Sequence, residues 1–261
     1  MELSLKNKNA VVCGSTRGIG LAIAKELALA GANCILFARN EGLLKEIVHR
    51  LPGNSGQEHD YRVADFSEPA AVKAAIESVV SKINIHILIN NTGGPPPGPI
   101  AEASADTFEN AFRQHIIISQ LLAQCVLPGM KKEGYGRIIN IISTSVKIPL
   151  NNLGVSNTIR AAVAAWAKTL SNETGQYNIT VNNILPGSTK TDRLDNLIEE
   201  TVKKEHTGRE MVEKEMTDKI PLKRFGLPEE IANVAAFLAS PAASYVNGAS
   251  IPVDGGRTGS I

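Results

Sequence analysis

The chain has 261 residues, 43% of them hydrophobic and 20% charged, which is enough to bury a sizeable core and is unlike a disordered segment. A formal net charge of +1 gives no electrostatic reason to expect a nucleic acid or an anionic membrane as partner. Cys13, Cys34 and Cys125 are widely spaced with no CxxC pair, so buried free thiols are expected rather than disulfides or a metal site.

The N-terminal Met-Glu-Leu-Ser-Leu-Lys lacks the apolar stretch of a signal peptide. No apolar run approaches the ~18 residues of a membrane span, so a cytoplasmic protein is expected. The first apolar run, 10–13, reads as a strand that enters a glycine loop. A helix follows over 19–30, ended by Gly31. Residues 34–37 form the next strand and 41–51 the next helix, before a Pro-Gly-Asn-Ser-Gly turn at 52–56. A third strand over 61–64 leads to a helix over 68–81, with Ser67 as its expected N-cap. Residues 85–89 are a buried strand, 105–132 one long helix, and 137–142 a strand. A helix over 156–177 and a strand over 179–185 complete the alternation.

Strands alternating with helices imply βαβ units, hence a parallel sheet covered on both faces: one doubly wound α/β domain over 1–261. A Lys/Glu-rich stretch over about 190–220 interrupts this pattern just past a strand end, where open α/β sheets bind ligands. It is expected to be an inserted helical lid over the substrate.

Gly14-Ser15-Thr16-Arg17-Gly18-Ile19-Gly20 joins the first strand to the first helix. Glycines there let the backbone turn sharply and approach a pyrophosphate, which the free N–H groups and dipole of the helix N-terminus favour. At the end of the second strand, a carboxylate would bind the adenosine ribose hydroxyls of NAD and repel a 2′-phosphate. That place holds Ala38, followed by Arg39, while Arg17 stands in the glycine loop. Two guanidiniums without a carboxylate favour a phosphate, so NADP(H) is expected over NAD.

The G-x-x-x-G-x-G spacing, together with Asn90-Asn91-Thr92-Gly93, Pro186-Gly187-Ser188-Thr189-Lys190-Thr191, Pro221-Leu222-Lys223-Arg224-Phe225-Gly226 and Val253-Asp254-Gly255-Gly256, resembles the short-chain dehydrogenase/reductase family over nearly the whole chain. The resemblance implies a Rossmann-like sheet of about seven strands. It also implies that Asp65 and Phe66 flank the adenine, Asn91 and Gly93 follow the ribose, and Pro186, Gly187, Thr189 and Thr191 lie near the nicotinamide. The long helices would pair subunits into a homodimer or homotetramer, with small Ala161, Ala162, Ala164 and Ala165 allowing close approach.

Members of that family use a tyrosine as proton donor, a lysine that lowers its pKa, a serine on the substrate oxygen and an asparagine that holds a water relay. The serine is kept as Ser143. Thirteen residues on, where tyrosine is expected, stands Ser156; the lysine position holds Arg160, and the asparagine position His115. A serine alcohol is far less acidic than a phenol of pKa ~10, and a guanidinium stays protonated. Arg160 would instead bind a ribose hydroxyl or stabilise a developing alkoxide. Lys147 or His115, the latter with a reference pKa of ~6.5, are the candidate proton sources. The reading is an NADP(H)-dependent oxidoreductase acting between carbonyl and alcohol, on 3-oxoacyl or related keto substrates similar to those of 3-oxoacyl carrier-protein reductases. The alternative is an NADP(H)-binding protein that no longer turns over and serves as a sensor or assembly subunit. Five scattered histidines offer no ligand spacing, so no metal is expected.

Overall fold

A computed structural model describes residues 2–53 and 56–260; Asn54 and Ser55 of the expected turn at 52–56 lie outside the described residues. Seven strands are described: β1 (Asn9–Cys13), β2 (Asn33–Ala38), β3 (Asp60–Val63), β4 (Ile87–Asn90), β5 (Gly136–Ile141), β6 (Ile179–Pro186) and β7 (Ser250–Val253). They pair in parallel throughout, in the order β3-β2-β1-β4-β5-β6-β7. The helices are α1 (Gly18–Leu29), α2 (Glu41–Arg50), α3 (Pro69–Val80), α4 (Ala105–Phe112), α5 (Ile118–Glu133), α6 (Gly154–Thr174), α7 (Asp192–Glu205), α8 (Arg209–Asp218) and α9 (Pro228–Ala239).

The period of two in the strands decides which helix covers which face. Val12, Leu36, Ile89 and Ile139 point into one core with Ile23 and Leu27 of α1 and Ile231 and Leu238 of α9. Their neighbours Val11, Ile35, Leu88 and Ile138 point the other way, against Ile76 of α3, Leu122 of α5 and Ala167 of α6. Both faces being buried, the strands carry almost continuous apolar runs, as fully covered parallel strands must.

Several local expectations are corrected. The helix expected over 105–132 is interrupted by a π turn at Arg113–Ile117 between α4 and α5, and that wider turn carries His115. Ser67 does not cap α3. The helix starts at Pro69, whose ring suits a first helical position, while the Ser67 N–H and hydroxyl donate to Asp65 Oδ1 at 2.9 and 2.8 Å. Neither α9 nor β7 stands out in the periodicity. The signal for α9 was Leu227-Pro228-Glu229-Glu230: proline enters the first turn and Glu230 Oε2 accepts from the Leu227 N–H at 2.8 Å. Cys13 and Cys34 are buried free thiols, and burial pushes both up to about 12, which leaves them inert as nucleophiles.

Strand order reverses between β1 and β4, whose carboxyl ends open on a common crevice. Behind it, a polar ladder crosses the sheet. Asn90 Nδ2 donates to Asn140 Oδ1, Asn140 Nδ2 to Asn183 Oδ1, and Asn183 Nδ2 to Ser250 Oγ, at 2.8, 2.9 and 3.0 Å. Bonded amides in register hold the strand ends at fixed spacing, with the Asn90 Oδ1 atom at the end of the ladder buried and unpartnered.

Candidate active site

The glycine loop forms the floor of a cleft of about 860 Å³. Gly14 and Gly18 hold φ of +60° and +53°, which side-chain-bearing residues rarely adopt. A Cβ on Gly14 would lie 2.5 Å from the Asn91 carbonyl oxygen, and one on Gly20 would lie 2.6 Å from Asn91 Nδ2. Asn91 Nδ2 in turn donates to the Cys13 and Gly14 carbonyls at 3.2 and 3.3 Å. Loop, β1 and the end of β4 therefore form one close-packed unit. The first turn of α1 receives no side-chain cap and contains no acidic residue, whereas α2 and α4 are capped by Asn40 and Ser104. Gly18 and Ile19 of that first turn of α1 line the cleft, and a helix start with free N–H groups suits an anion.

Gly14, Arg17, Gly18, Ile19, Arg39, Asp65, Phe66, Asn91, Gly93 and Thr191 all line the cleft. Ser15 and Gly20 do not. Ser15 is fully buried with its hydroxyl donating to the Phe37 carbonyl at 3.4 Å, and Gly20 is buried beneath the loop. Both shape the loop rather than face the crevice. Pro186, Gly187 and Thr189 stand at the end of β6 outside the cleft wall, where Thr189 Oγ1 donates to the Gly187 carbonyl at 3.1 Å. At the end of β2, Ala38 is buried and Arg39 is exposed, while Arg17 of the glycine loop pairs with Asp192 of α7 at 3.1 Å. Asp65 is held below its usual pKa by the two Ser67 hydrogen bonds. The residues present fit a dinucleotide phosphate: an uncapped helix start, two cations, and Gly93, where a Cβ would meet nothing within 4 Å.

None of Ser143, Ser156, Arg160 and His115, the residues expected to carry the reaction, lines that cleft; they stand beside the ends of β4 and β5. Ser143 lies two residues past the end of β5 in extended conformation, and its hydroxyl accepts from the Ser145 N–H at 3.1 Å. Ser156 and Arg160 share a face of α6, one helical turn apart and 5% and 8% exposed. Arg160 Nη1 donates to the Ile141 carbonyl at 2.7 Å, two residues before Ser143. The start of α6 is fixed by the proline loop: Gly98 N–H donates to the Asn152 carbonyl at 2.7 Å and Gly154 N–H to the Gly98 carbonyl at 3.3 Å.

His115 is 4% exposed, and its Nδ1 shares a 2.7 Å hydrogen bond with the Thr92 hydroxyl. Its Nε2 is buried with no hydrogen-bond partner. Burial, then the Arg160 and Arg193 guanidiniums, push it down to about 3, with the Gly93 backbone opposing. Burial and the two cations disfavour the imidazolium, which runs against the expectation of a histidine that titrates near neutrality. Burial, then Arg193, brings Arg160 to about 10, still cationic at neutral pH. Lys147 follows the turn Thr144–Val146 and is exposed, outside the cleft wall.

Sequence reasoning missed Arg193, which lines the cleft from α7 with its guanidinium laid over Gly94. It also missed Thr92, Gln114 and Leu153 in the wall. No pattern in the chain singles out Arg193. It is one charged residue in a Lys/Glu-rich stretch, and only the packing of α7 beside the proline loop reveals it. No cluster of three or more metal-ligating side chains occurs among the described residues. None of the described helices is long and apolar enough to cross a membrane.

The geometry agrees with what the chain is similar to. A family model described as enoyl-(acyl carrier protein) reductase matches residues 14–258. The 3-oxoacyl-[acyl-carrier-protein] reductase of Pseudomonas aeruginosa is 35% identical over 257 residues, covering 97% of this chain and 98% of that protein. An NADPH-dependent reductase of Bacillus subtilis is 32% identical, covering 98% of this chain and all of that protein. The crystal structure of L-sorbose reductase from Gluconobacter frateurii, complexed with NADPH and L-sorbose, superposes with a TM-score of 0.94 at 34% identity and full coverage of both chains. The fold, the glycine loop and these similarities together establish that this chain belongs to the short-chain dehydrogenase/reductase family.

Proposed function

We propose that the protein is an NADP(H)-dependent oxidoreductase that interconverts a carbonyl compound and an alcohol, with charge stabilisation in place of a tyrosine proton donor. The observation that carries this reading is the Arg160 guanidinium, buried one turn from Ser156 and anchored to the strand end that delivers Ser143. NADPH, when bound, supplies the hydride and leaves as NADP⁺, while the carbonyl compound gains that hydride and one proton from water. The choice of NADP(H) rests on Arg39 and Arg17 beside a second strand that ends without a carboxylate, on a relative named as an NADPH-dependent reductase, and on a similar structure complexed with NADPH.

The roles follow from side-chain chemistry. The Ser143 and Ser156 hydroxyls donate to the substrate oxygen and pass a proton on from water. Arg160 stabilises the alkoxide that develops there and would also hold a ribose hydroxyl of the cofactor. Neutral His115 orients the strand end through Thr92 rather than donating a proton as an imidazolium. Lys147 is exposed, and a proton from it would have to travel through solvent. Helices α7 and α8 act as a lid, with the Arg17–Asp192 pair bridging the cleft mouth. Keto substrates of the 3-oxoacyl kind are the first class to test. The protein works in the cytoplasm as a homodimer or homotetramer; exposed Phe112 and Ile117 beside the α4–α5 run, and exposed Ala161 and Ala165 on α6, support that pairing.

The neutral state of His115 favours a second reading, an NADP(H) sensor or assembly subunit without turnover. Titrating NADPH and NADH into the protein, then following single-turnover NADPH loss against a carbonyl panel, separates the two. Oxidation of NADPH by any carbonyl compound supports the enzyme. Tight NADPH binding without oxidation by any of them leaves the sensor.

A further inference from the structure

The start of α7 meets both loops of the cleft through three consecutive residues. Thr191 stands over the glycine loop, where a Cβ on Gly18 would lie 3.2 Å from Thr191 Cγ2. Asp192 Oδ2 accepts from Arg17 Nη1 of the same loop at 3.1 Å. Arg193 reaches the loop that follows β4, and its guanidinium lies so close to Gly94 that a Cβ there would overlap Nη1. Further along α7, Asn196, Leu197 and Glu200 continue the cleft wall at the three- and four-residue spacing of one helix face. Asp192 is thus held at the cleft by a neighbour on each side, against the only cation of the glycine loop.

The two cations assigned to a 2′-phosphate are therefore in different states. Arg39 forms no ion pair among the described residues, and the nearby Asp65 carboxylate is taken up by Ser67. Arg17 is already paired, and among the described residues its pair with Asp192 is the one ion pair whose partners both line the cleft. A guanidinium N–H that donates to a carboxylate is not free for a phosphate oxygen. We propose that Asp192 is a cofactor-specificity residue: it competes with the 2′-phosphate of NADPH for Arg17, and so lowers affinity for the phosphorylated cofactor while leaving NADH untouched. The two side chains are 73% and 67% exposed, so the competition is weak and tunes the preference rather than reversing it. Linkage makes the effect reciprocal: NADPH that takes Arg17 removes one of the three contacts that hold the start of α7. The inference rests on the NADP(H) reading above.

Equilibrium titration of the full-length protein with NADPH, NADH and adenosine 2′,5′-bisphosphate, which carries the phosphate without the nicotinamide, reads the competition. Asp192→Asn keeps the shape and removes the charge. It should tighten NADPH and the bisphosphate by ~2–5-fold and leave NADH unchanged. In an Arg17→Gln background the same substitution should give no gain, because the contested guanidinium is gone. A gain that persists there assigns the effect to general repulsion between a wall carboxylate and the cofactor, and overturns the inference. NADH tightened by the same factor, or an unchanged NADPH affinity in Asp192→Asn, overturns it too. Each of these results leaves the NADP(H) reading intact when the parent prefers NADPH to NADH. A parent that binds the two equally overturns that reading and the inference with it.

Discussion

The 2.7 Å hydrogen bond from Arg160 Nη1 to the Ile141 carbonyl ties α6 to the end of β5 and fixes a buried cation at a carbonyl two residues before Ser143. A charge held this way does not need to move as an alkoxide forms, which is the condition for electrostatic catalysis. Replacing it with methionine keeps the volume and removes the charge. Arg160→Met should lower NADPH-dependent reduction by ~10²–10³-fold in kcat. Stability should change by no more than about 1 kcal/mol, because losing the bond to Ile141 is offset by removing an uncompensated buried cation. Steady-state kinetics and chemical denaturation of the variant check both halves.

The pH dependence follows from the two shifts at the site. His115 is protonated only below about 3, and Arg160 loses its proton only above about 10. Neither group titrates between these limits, so kcat for reduction should be flat from about pH 5 to about pH 9. An ionisation near neutrality in that profile would mean that another group donates the proton.

His115 also sets a slope in stability. Its folded pKa lies below its unfolded value, so the unfolded chain takes up the proton first as the pH falls. Stability is unaffected above pH ~6.5 and declines from there toward about 3, by about 2 kcal/mol at pH ~5 from this residue. His59 and His86, lowered chiefly by burial, act in the same direction but are common to parent and variant. Unfolding free energies of His115→Gln and the parent should therefore converge in the variant's favour by about 2 kcal/mol between pH ~7 and pH ~5.

The glycine loop gives a sharper structural test. A Cβ at Gly20 would overlap the Gly14 carbonyl oxygen and lie 2.6 Å from Asn91 Nδ2, so the loop, β1 and β4 would have to separate. Gly20→Ala should cost about 1–3 kcal/mol of stability. It should also weaken NADPH by at least ~10-fold, although Gly20 itself does not line the cleft. Fluorescence titration with NADPH and thermal unfolding measure the two effects.

Cofactor choice tests Arg39. Arg39→Gln should weaken NADPH by ~10–100-fold while leaving NADH within about twofold, because only the former carries the 2′-phosphate. Equal weakening of both would place Arg39 outside the phosphate contact.

The fold was largely legible because it is written in local patterns: apolar runs of strand length, helical periods between them, and glycines where the backbone turns at positive φ. The glycine loop, Arg39, Asp65, Phe66, Asn91 and Gly93 were readable for the same reason, since each sits at a fixed place relative to a strand end. The π turn at His115 was hidden because its residues have ordinary helical character, and the extra residue in the turn leaves no mark in a 3.6 period. The neutral state of His115 was hidden too. It depends on Arg160 and Arg193, which lie 45 and 78 residues further along the chain and meet the ring only in the folded protein. Ser67 misled because a side chain that normally caps a helix instead bonds with Asp65.

The most direct test of the account is a single turnover with NADPH deuterated on the nicotinamide ring at the transferred position, mixed with the full-length protein and a panel of keto acids and neutral ketones. The account predicts that deuterium appears on the carbinol carbon of a product alcohol, at one equivalent per NADPH consumed. Tightly bound NADPH that keeps its full deuterium content with every compound would contradict it.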